Sequence, residues 1–480
     1  MFFFNLYCHK KKDLSREIQF CVNWTNHEDS TESLRVGDGK QVTENTLVEV
    51  AINSNGPASA TDMLAPSGFL CLVAKFAEQI GFFNLLENQI QLPYKQVTYT
   101  HLDKMKTLIA AIAVGCRHIQ DINYQLRPYP ALAQSLNMIH FPEQSTINRL
   151  LHQFSGANLT QLDELFETSL RQWGWCQKHP KVNFDFDSTG LIVYGHTFTF
   201  ARKGYFPKHQ GAKGYQLSMA YSYGTAPNEI LSLHLDPGNC PPAARFWDAF
   251  YQVVEILGSV DRIGIIRADA AQGTGENIQE LIETGVDFVI KGFHPLTARN
   301  FAKSVAENQW ISTDFFSKVV DLGLRKITNC AHPVRVILIR TYNSRKEQIE
   351  FSHLYVRLTL EKMSAPEVFD FYNKRQNIEA LFNCEKNGLH LTPMKTRKFA
   401  SSLAFLYFNV FTFNLLNWFK HRMLKNTQLE NMGLSEFVDK LMKIPAYVKA
   451  RSRQLELNFP AEHPMIKKLA AASTEFLTAG

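Results

Sequence analysis

The 480-residue sequence has little of what a disulfide scaffold, a zinc-clip domain or an exported chain requires. Its eight cysteines, Cys8, Cys21, Cys71, Cys116, Cys176, Cys240, Cys330 and Cys384, are spread singly, with no C-x-x-C pair and no histidine cluster at zinc-ligand spacing. They read as reduced thiols of a cytosolic protein. The opening MFFFNLYCHKKK places its apolar run ahead of its basic residues, the reverse of a secretory leader, so no export signal is assigned. Net charge is also small: 51 Lys+Arg against 45 Asp+Glu leave +6 and a pI near 8.7, which permits a polyanionic partner without demanding one. One apolar run, Phe399 to Phe419, is long enough to span a bilayer, but Asn409, Asn414 and Asn417 within it favour a buried helix and no membrane.

What is present is ordinary globular composition, 45% hydrophobic and 12% aromatic, at a length that suits two to four domains. Residues 22 to about 60 are polar and lean acidic, and 1–60 is expected to be a flexible arm. Apolar residues at threes and fours predict a helical N-terminal domain over 61–176, a candidate DNA-binding unit. Within it, ALAQSLNMIHFPEQSTINRLLHQF reads as helix, turn, helix, with Ser145 as N-cap. A helix-turn-helix would present Arg149 to a DNA groove; a plain αα-hairpin fits the same pattern. From 181 the period changes to two, and three strands are followed by helix, strand, helix, strand, a mixed α/β sheet with crossover helices. This core is expected over 181–292 and 366–425, with a β-rich insertion at 293–365 and a helical, basic region at 426–480. Long helices are expected at Ala365 to Leu389 and Phe399 to Leu424.

Candidate chemistry begins with VNFDFDSTG, where Asp185 and Asp187 share the polar face of a strand, and with Asp269, directly after the strand RIGIIRA. A mixed sheet can bring two such carboxylates to one rim, though each Asp also fits a turn or helix cap. In YNKRQNIEALFNCEK, Tyr372, Arg375, Glu379 and Lys386 fall within about 60° of one helix face at about 100° per residue. On that face Glu379 suits a cation and the other three suit phosphate oxygens. Residues 202–215 carry Arg202, Lys203, Lys208 and Lys213 with no acid, interleaved with Tyr205, Phe206 and Tyr215, a loop suited to DNA phosphates and bases or simply a solvated hairpin. Lys395, Arg397 and Lys398 extend the basic stripe.

The order Asp187, Asp269, Glu379, with the last helix reading Y-x2-R-x3-E-x6-K, resembles bacterial insertion-sequence DDE transposases that carry the Tyr-Arg-Glu-Lys signature. The resemblance covers about 181–425. It implies a ribonuclease-H-like mixed-sheet core, a β-rich insertion between the second Asp and the Glu, and an all-α N-terminal domain. It also implies catalytic, metal-binding roles for Asp187, Asp269 and Glu379, with Asp187 rather than Asp185 as the ligand. The cofactor implied is a pair of Mg²⁺ ions, replaceable by Mn²⁺, which suits an oxygen-only donor set. The implied activity is cut-and-paste transposition: binding of element ends, strand cleavage and strand transfer on double-stranded DNA. A homodimer in the synaptic complex and a cytoplasmic, nucleoid-associated location in bacteria follow from it. Tyr372, Arg375, Lys386, Lys203, Lys208, Lys213 and Arg149 are the DNA-contact candidates. Trp310, the only Trp of the inserted segment, is a candidate to stack on a flipped base or a core residue.

Two alternatives remain at this level. A domesticated transposase would bind DNA without cutting it. A nucleotide-dependent α/β enzyme would use Gly273 and Gly275 after the strand, but the third glycine position is Ile278 and the dinucleotide-binding spacing fails.

Overall fold

A computed structural model describes residues 5–9, 17–23, 47–51, 63–93, 98–195, 197–204, 206, 209–224, 226–384, 389, 396–425, 427, 429–451, 454–460 and 462–469. The chain divides into two compact units. One comprises Met1–Gln161, Lys386–Leu391 and Ala404–Gly480, the other Leu162–Glu385 and Thr392–Leu403.

The first unit combines helices with a sheet. A six-stranded sheet runs in the order Asn5–His9, Leu47–Ala51, Glu17–Asn23, Gln454–Pro460, Ala446–Arg451, Met63–Ala65. Parts of the expected N-terminal arm and of the expected helical tail are therefore strands that pair with each other, Leu457 opposite Phe20 and Leu455 opposite Val22. These segments alternate apolar and polar residues over stretches too short to stand out in a polar background, and pairing across more than 400 residues of sequence is invisible to local periodicity. The helices of this unit include Gly68–Gln79, His101–Ala113 and Gln144–Gln153. Gln144–Gln153 is the expected second helix of the helix-turn-helix reading, but it begins after Glu143 rather than at Ser145. Its Arg149 is exposed and bonds Thr146 Oγ1 at 3.0 Å.

The long apolar helix Phe399–Met423 is mostly buried within the protein. Its aromatic side chains carry the packing: Phe408 meets Phe154, Phe411 meets Phe82, and Phe419 meets Phe76 and Phe437, all edge-on or tilted at centroid distances of 5.7 to 6.2 Å.

The second unit is built on one ten-stranded sheet. Its strands are β1 (Val182–Val193), β2 (Arg202–Lys203), β3 (Lys213–Tyr223), β4 (Ile230–Pro237), β5 (Ile263–Ala268) and β6 (Asp287–Lys291). Then come β7 (Ile311–Ser312), β8 (Ser317–Arg325), β9 (Val334–Asn343) and β10 (Gln348–Val356). The order is β7-β8-β9-β10-β6-β5-β1-β3-β2, with β4 also paired to β3. Strands β1, β5 and β6 are parallel, while β1, β3 and β4 form an antiparallel trio. The segment expected to be a separate insertion instead extends this sheet: β10 pairs antiparallel with β6, and β9, β8 and β7 follow.

Helices cover the sheet. α1 (Phe246–Leu257) follows β4, and α2 (Gly275–Thr284) crosses from β5 to β6 with Thr274 Oγ1 accepting from the Asn277 N–H as its N-cap. α3 (Pro295–Ala302) packs on β10, and α4 (Ala365–Asn373) seats Val368 and Phe369 against Val289, Val319 and Ile337. The helix expected to continue from Ala365 to Leu389 breaks instead. α4 ends at Asn373, Lys374 and Arg375 form a turn, and α5 (Gln376–Asn383) resumes. Tight i→i−3 bonds mark the break, from the Arg375 N–H to the Tyr372 carbonyl and from the Ile378 N–H to the Arg375 carbonyl.

Candidate active site

Parallel register places the site. Phe186 of β1 and Ile290 of β6 both lie opposite Ala268 of β5, so the next residue on each strand, Asp187, Asp269 and Lys291, stands in one row at the sheet rim. Neighbouring strands are about 4.8 Å apart, which brings the two carboxylates side by side. The alternation of β1 explains the orientation: Phe184 and Phe186 are buried on one face, Phe186 edge-on to Phe246 of α1, and this leaves Asp185 and Asp187 on the face that α4 covers.

The two aspartates of β1 have separate surroundings. Asp185 is fully buried and held by Arg267, with Nε donating to Oδ1 at 2.6 Å and Nη2 to Oδ2 at 2.8 Å. Arg267 also donates Nη1 to the Phe371 carbonyl at 2.5 Å, and its guanidinium lies 3.7 Å from the Tyr223 ring centroid and 4.9 Å from that of Phe371. With both oxygens committed, Asp185 is a structural anion that ties β1, β5 and the end of α4 together. Asp187 retains some exposure, 15% of its side chain, and meets the Arg375 guanidinium at 3.0 Å. Its Oδ1 accepts from the Ser188 N–H at 2.8 Å. Burial pushes Asp187 up to about 6, against the pull of Arg375 and reinforced by the negative charge of Asp269.

Asp269 is half-buried, and its Oδ1 accepts from the Ala271 N–H at 2.9 Å. The capping alternative for this residue is thus realised, and it leaves Oδ2 uncommitted by that bond. Tyr372 donates its hydroxyl to the Ala268 carbonyl at 3.3 Å, and burial pushes its pKa well above the ordinary phenol range. Arg375, nine-tenths buried, donates Nη2 to the Phe186 carbonyl at 3.1 Å, while its Nε is buried with no hydrogen-bond partner among the described residues.

The wheel that grouped Tyr372, Arg375, Glu379 and Lys386 therefore divides at the helix break. Tyr372 and Arg375 face the rim from the inside, whereas Glu379 on α5 is exposed. Lys386 lies outside the described residues, as does Lys208. Lys203 and Lys213 are exposed and opposite each other on β2 and β3. Trp310 is occupied within the sheet extension: the Arg340 guanidinium sits 4.6 Å from its ring centroid and Phe351 packs at 6.2 Å.

Two residues escape the sequence reading. Arg267 sits inside an apolar strand, and a lone Arg between Ile266 and Ala268 is itself the signal of a buried partner. Lys291 closes the strand DFVIK and needs the β5–β6 register before it can be placed beside Asp269.

Asp187 and Asp269 offer oxygen donors of the kind a hard divalent cation takes, and their adjacency at a half-open rim fits such an ion. Among the described residues, no group of three His, Cys, Asp or Glu side chains stands close enough to hold a metal, so Glu379 is not part of a preassembled cage. As it stands, the rim can bind a cation on two carboxylates and an anion at Lys291, with Arg375 as the resident counter-charge.

A family model described as transposase DDE domain group 1 matches residues 50–478. No curated protein matches the chain.

Proposed function

Since the chain belongs to the family of transposases with a DDE domain, matched over residues 50–478, we propose that it binds the ends of a mobile element and cuts and joins them. The strand order β4-β3-β1-β5-β6, an antiparallel trio followed by two strands parallel to the first, supports a ribonuclease-H-like core. The observation that carries the site assignment is the separation of the two β1 aspartates: Arg267 consumes Asp185, and Asp187 stands in the rim row with Asp269.

In this reading Asp187 and Asp269 hold divalent metal, Mg²⁺ or Mn²⁺, and Glu379 is the third carboxylate, supplied by α5 once that helix turns its acid toward the rim. Bound metal would activate a water or a 3′-hydroxyl and steady the leaving oxygen of a phosphodiester. The chain's own residues do the positioning. The Ser188 N–H orients Asp187, the Ala271 N–H orients Asp269, and Tyr372 ties α4 to the strand that carries Asp269. Lys291 stands where a phosphate oxygen beside Asp269 would meet a cation. The partner is double-stranded DNA, a synaptic homodimer is the expected assembly, and the place of action is the bacterial cytoplasm.

The test compares Asp187→Asn with Asp185→Asn on a duplex taken from the boundary of the DNA segment that encodes the chain. Asp187→Asn should keep DNA binding and lose Mn²⁺-dependent nicking and joining, and Glu379→Gln should do the same. Asp185→Asn should act mainly by lowering stability. Full nicking by Asp187→Asn would remove it from the site.

A further inference from the structure

A second basic surface in the same unit is assembled from segments almost 200 residues apart. Thr199 donates its backbone N–H to the Arg397 carbonyl at 2.9 Å, and its Oγ1 accepts from the Phe399 N–H at 2.7 Å. The Phe399 ring packs on Phe200 and Tyr215 at 5.6 and 5.7 Å, and the Tyr215 hydroxyl returns to the Thr199 carbonyl at 2.7 Å. This clasp sets Arg397 and Lys398 beside the β2–β3 hairpin, where Arg202 pairs with Gly214 and Lys203 with Lys213.

All five cations are exposed, and none forms an ion pair with a described carboxylate. Cations gathered this closely repel one another, so a fold that brings them together without neutralising acids is poised for an external polyanion. Phe206, between β2 and β3, is also fixed in place. The buried Phe206 ring fills a cradle at Gly190, Gly214 and Gly238, where an added Cβ would come within 2.4, 2.9 and 3.0 Å of it. Phe200 adds an aromatic that is 60% exposed on a left-handed backbone, φ +61°, which a bulky side chain rarely adopts without a surrounding constraint.

Position along β1 gives the surface a reach. Val193 pairs with Lys213, six residues beyond Asp187 on the same strand. At about 3.3 Å per residue that is about 20 Å, the rise of about six base pairs. We propose that Arg202, Lys203, Lys213, Arg397 and Lys398 form one composite phosphate-binding surface, made continuous by the Thr199–Phe399 clasp, that grips duplex DNA about six base pairs to one side of the cut. The proposal rests on the DNA-cutting reading above and adds where the duplex lies.

The experiment uses the full chain, its boundary duplex of about three helical turns, binding titrated against salt, and hydroxyl-radical footprinting. Arg202→Ala/Lys203→Ala and Arg397→Ala/Lys398→Ala change only exposed side chains. Each pair should weaken binding about tenfold or more, lower the salt slope by roughly two, and erase protection about six base pairs from the cut. Thr199→Val keeps every charge and removes the acceptor for the Phe399 N–H, so it should reduce affinity and blur the same protection while the chain stays folded at the assay temperature. Pairs that bind with wild-type slope and footprint overturn the surface while leaving wild-type cutting, and hence the DNA-cutting reading, intact. A Thr199→Val chain with wild-type affinity and footprint overturns the clasp's part in it. Failure of the wild-type chain to bind or nick the duplex sinks both.

Discussion

Replacing Arg267 with methionine tests whether the Asp185–Arg267 pair organises the site. Both side chains are essentially without solvent access, and the pair is bidentate at 2.6 and 2.8 Å. Removing the cation leaves Asp185 as an uncompensated buried anion, a change worth about 3–5 kcal/mol in comparable settings. The single variant should therefore lose about that much stability in urea unfolding of the full chain. A second variant, Asp185→Leu combined with Arg267→Met, removes both charges and should recover most of the loss. A residual of about 1–2 kcal/mol is expected from the lost Arg267 bond to the Phe371 carbonyl and the lost contact with the Tyr223 ring. The anchoring role has its own signature: with the Phe371 carbonyl released, the adjacent Tyr372 should lose its bond to Ala268, and DNA nicking should stay impaired in the double variant although its stability returns. A single variant within about 1 kcal/mol of wild type, or a double variant as costly as the single, would refute the reasoning.

Arg375→Gln removes the cation 3.0 Å from Asp187, so Mn²⁺ titrated calorimetrically into the DNA-free chain should bind about tenfold tighter; unchanged affinity would mean that Arg375 does not compete for the carboxylate. His353 is fully buried on β10 with neither ring nitrogen hydrogen-bonded among the described residues, and burial, with His294 and Lys291 adding, pushes it down to about 4 from 6.5. Its neutral form stabilises the fold above about pH 6.5, and that contribution is lost as pH falls toward 4, a span worth roughly 3 kcal/mol at 1.4 kcal/mol per tenfold change in proton affinity. His353→Leu should flatten the acid side of a stability-against-pH curve by about that amount, and an unaltered curve would assign the acid sensitivity to other groups.

The core sheet was legible because its strands carry their period openly. VNFDFD and GYQLSMAYSY became β1 and β3, and the helix between the last two core strands begins at Gly275 with Thr274 as its cap. Two members of the rim row, Asp187 on β1 and Asp269 directly after β5, were visible as acids in the sequence, whereas their alignment with Lys291 needed the register between strands. The terminal strands were not legible, because Asn5–His9 and Gln454–Pro460 owe their form to partners at the other end of the chain. The insertion was found as β-rich but misread as separate: nothing in HPVRVILIRTY says whether its edge closes on itself or joins β6 through β10.

The turn within the signature helix has a physical cause that bears on how the site works. A helical wheel assumes one axis, and Arg375 violates the assumption because its side chain reaches Asp187 and the Phe186 carbonyl from a turn rather than from a helix face. Extending α4 unbroken through Arg375 would keep Glu379 on the Tyr372 side, where the sequence expectation put it. The break sends Glu379 to solvent and leaves a guanidinium against the first carboxylate. An anionic backbone arriving at the rim offers Arg375 a second partner, and its unpaired Nε lies next to the groups that such a partner would displace. Under the proposed three-carboxylate reading, Glu379 would join the rim only after Arg375 leaves Asp187, and the Arg375→Gln titration probes that contact.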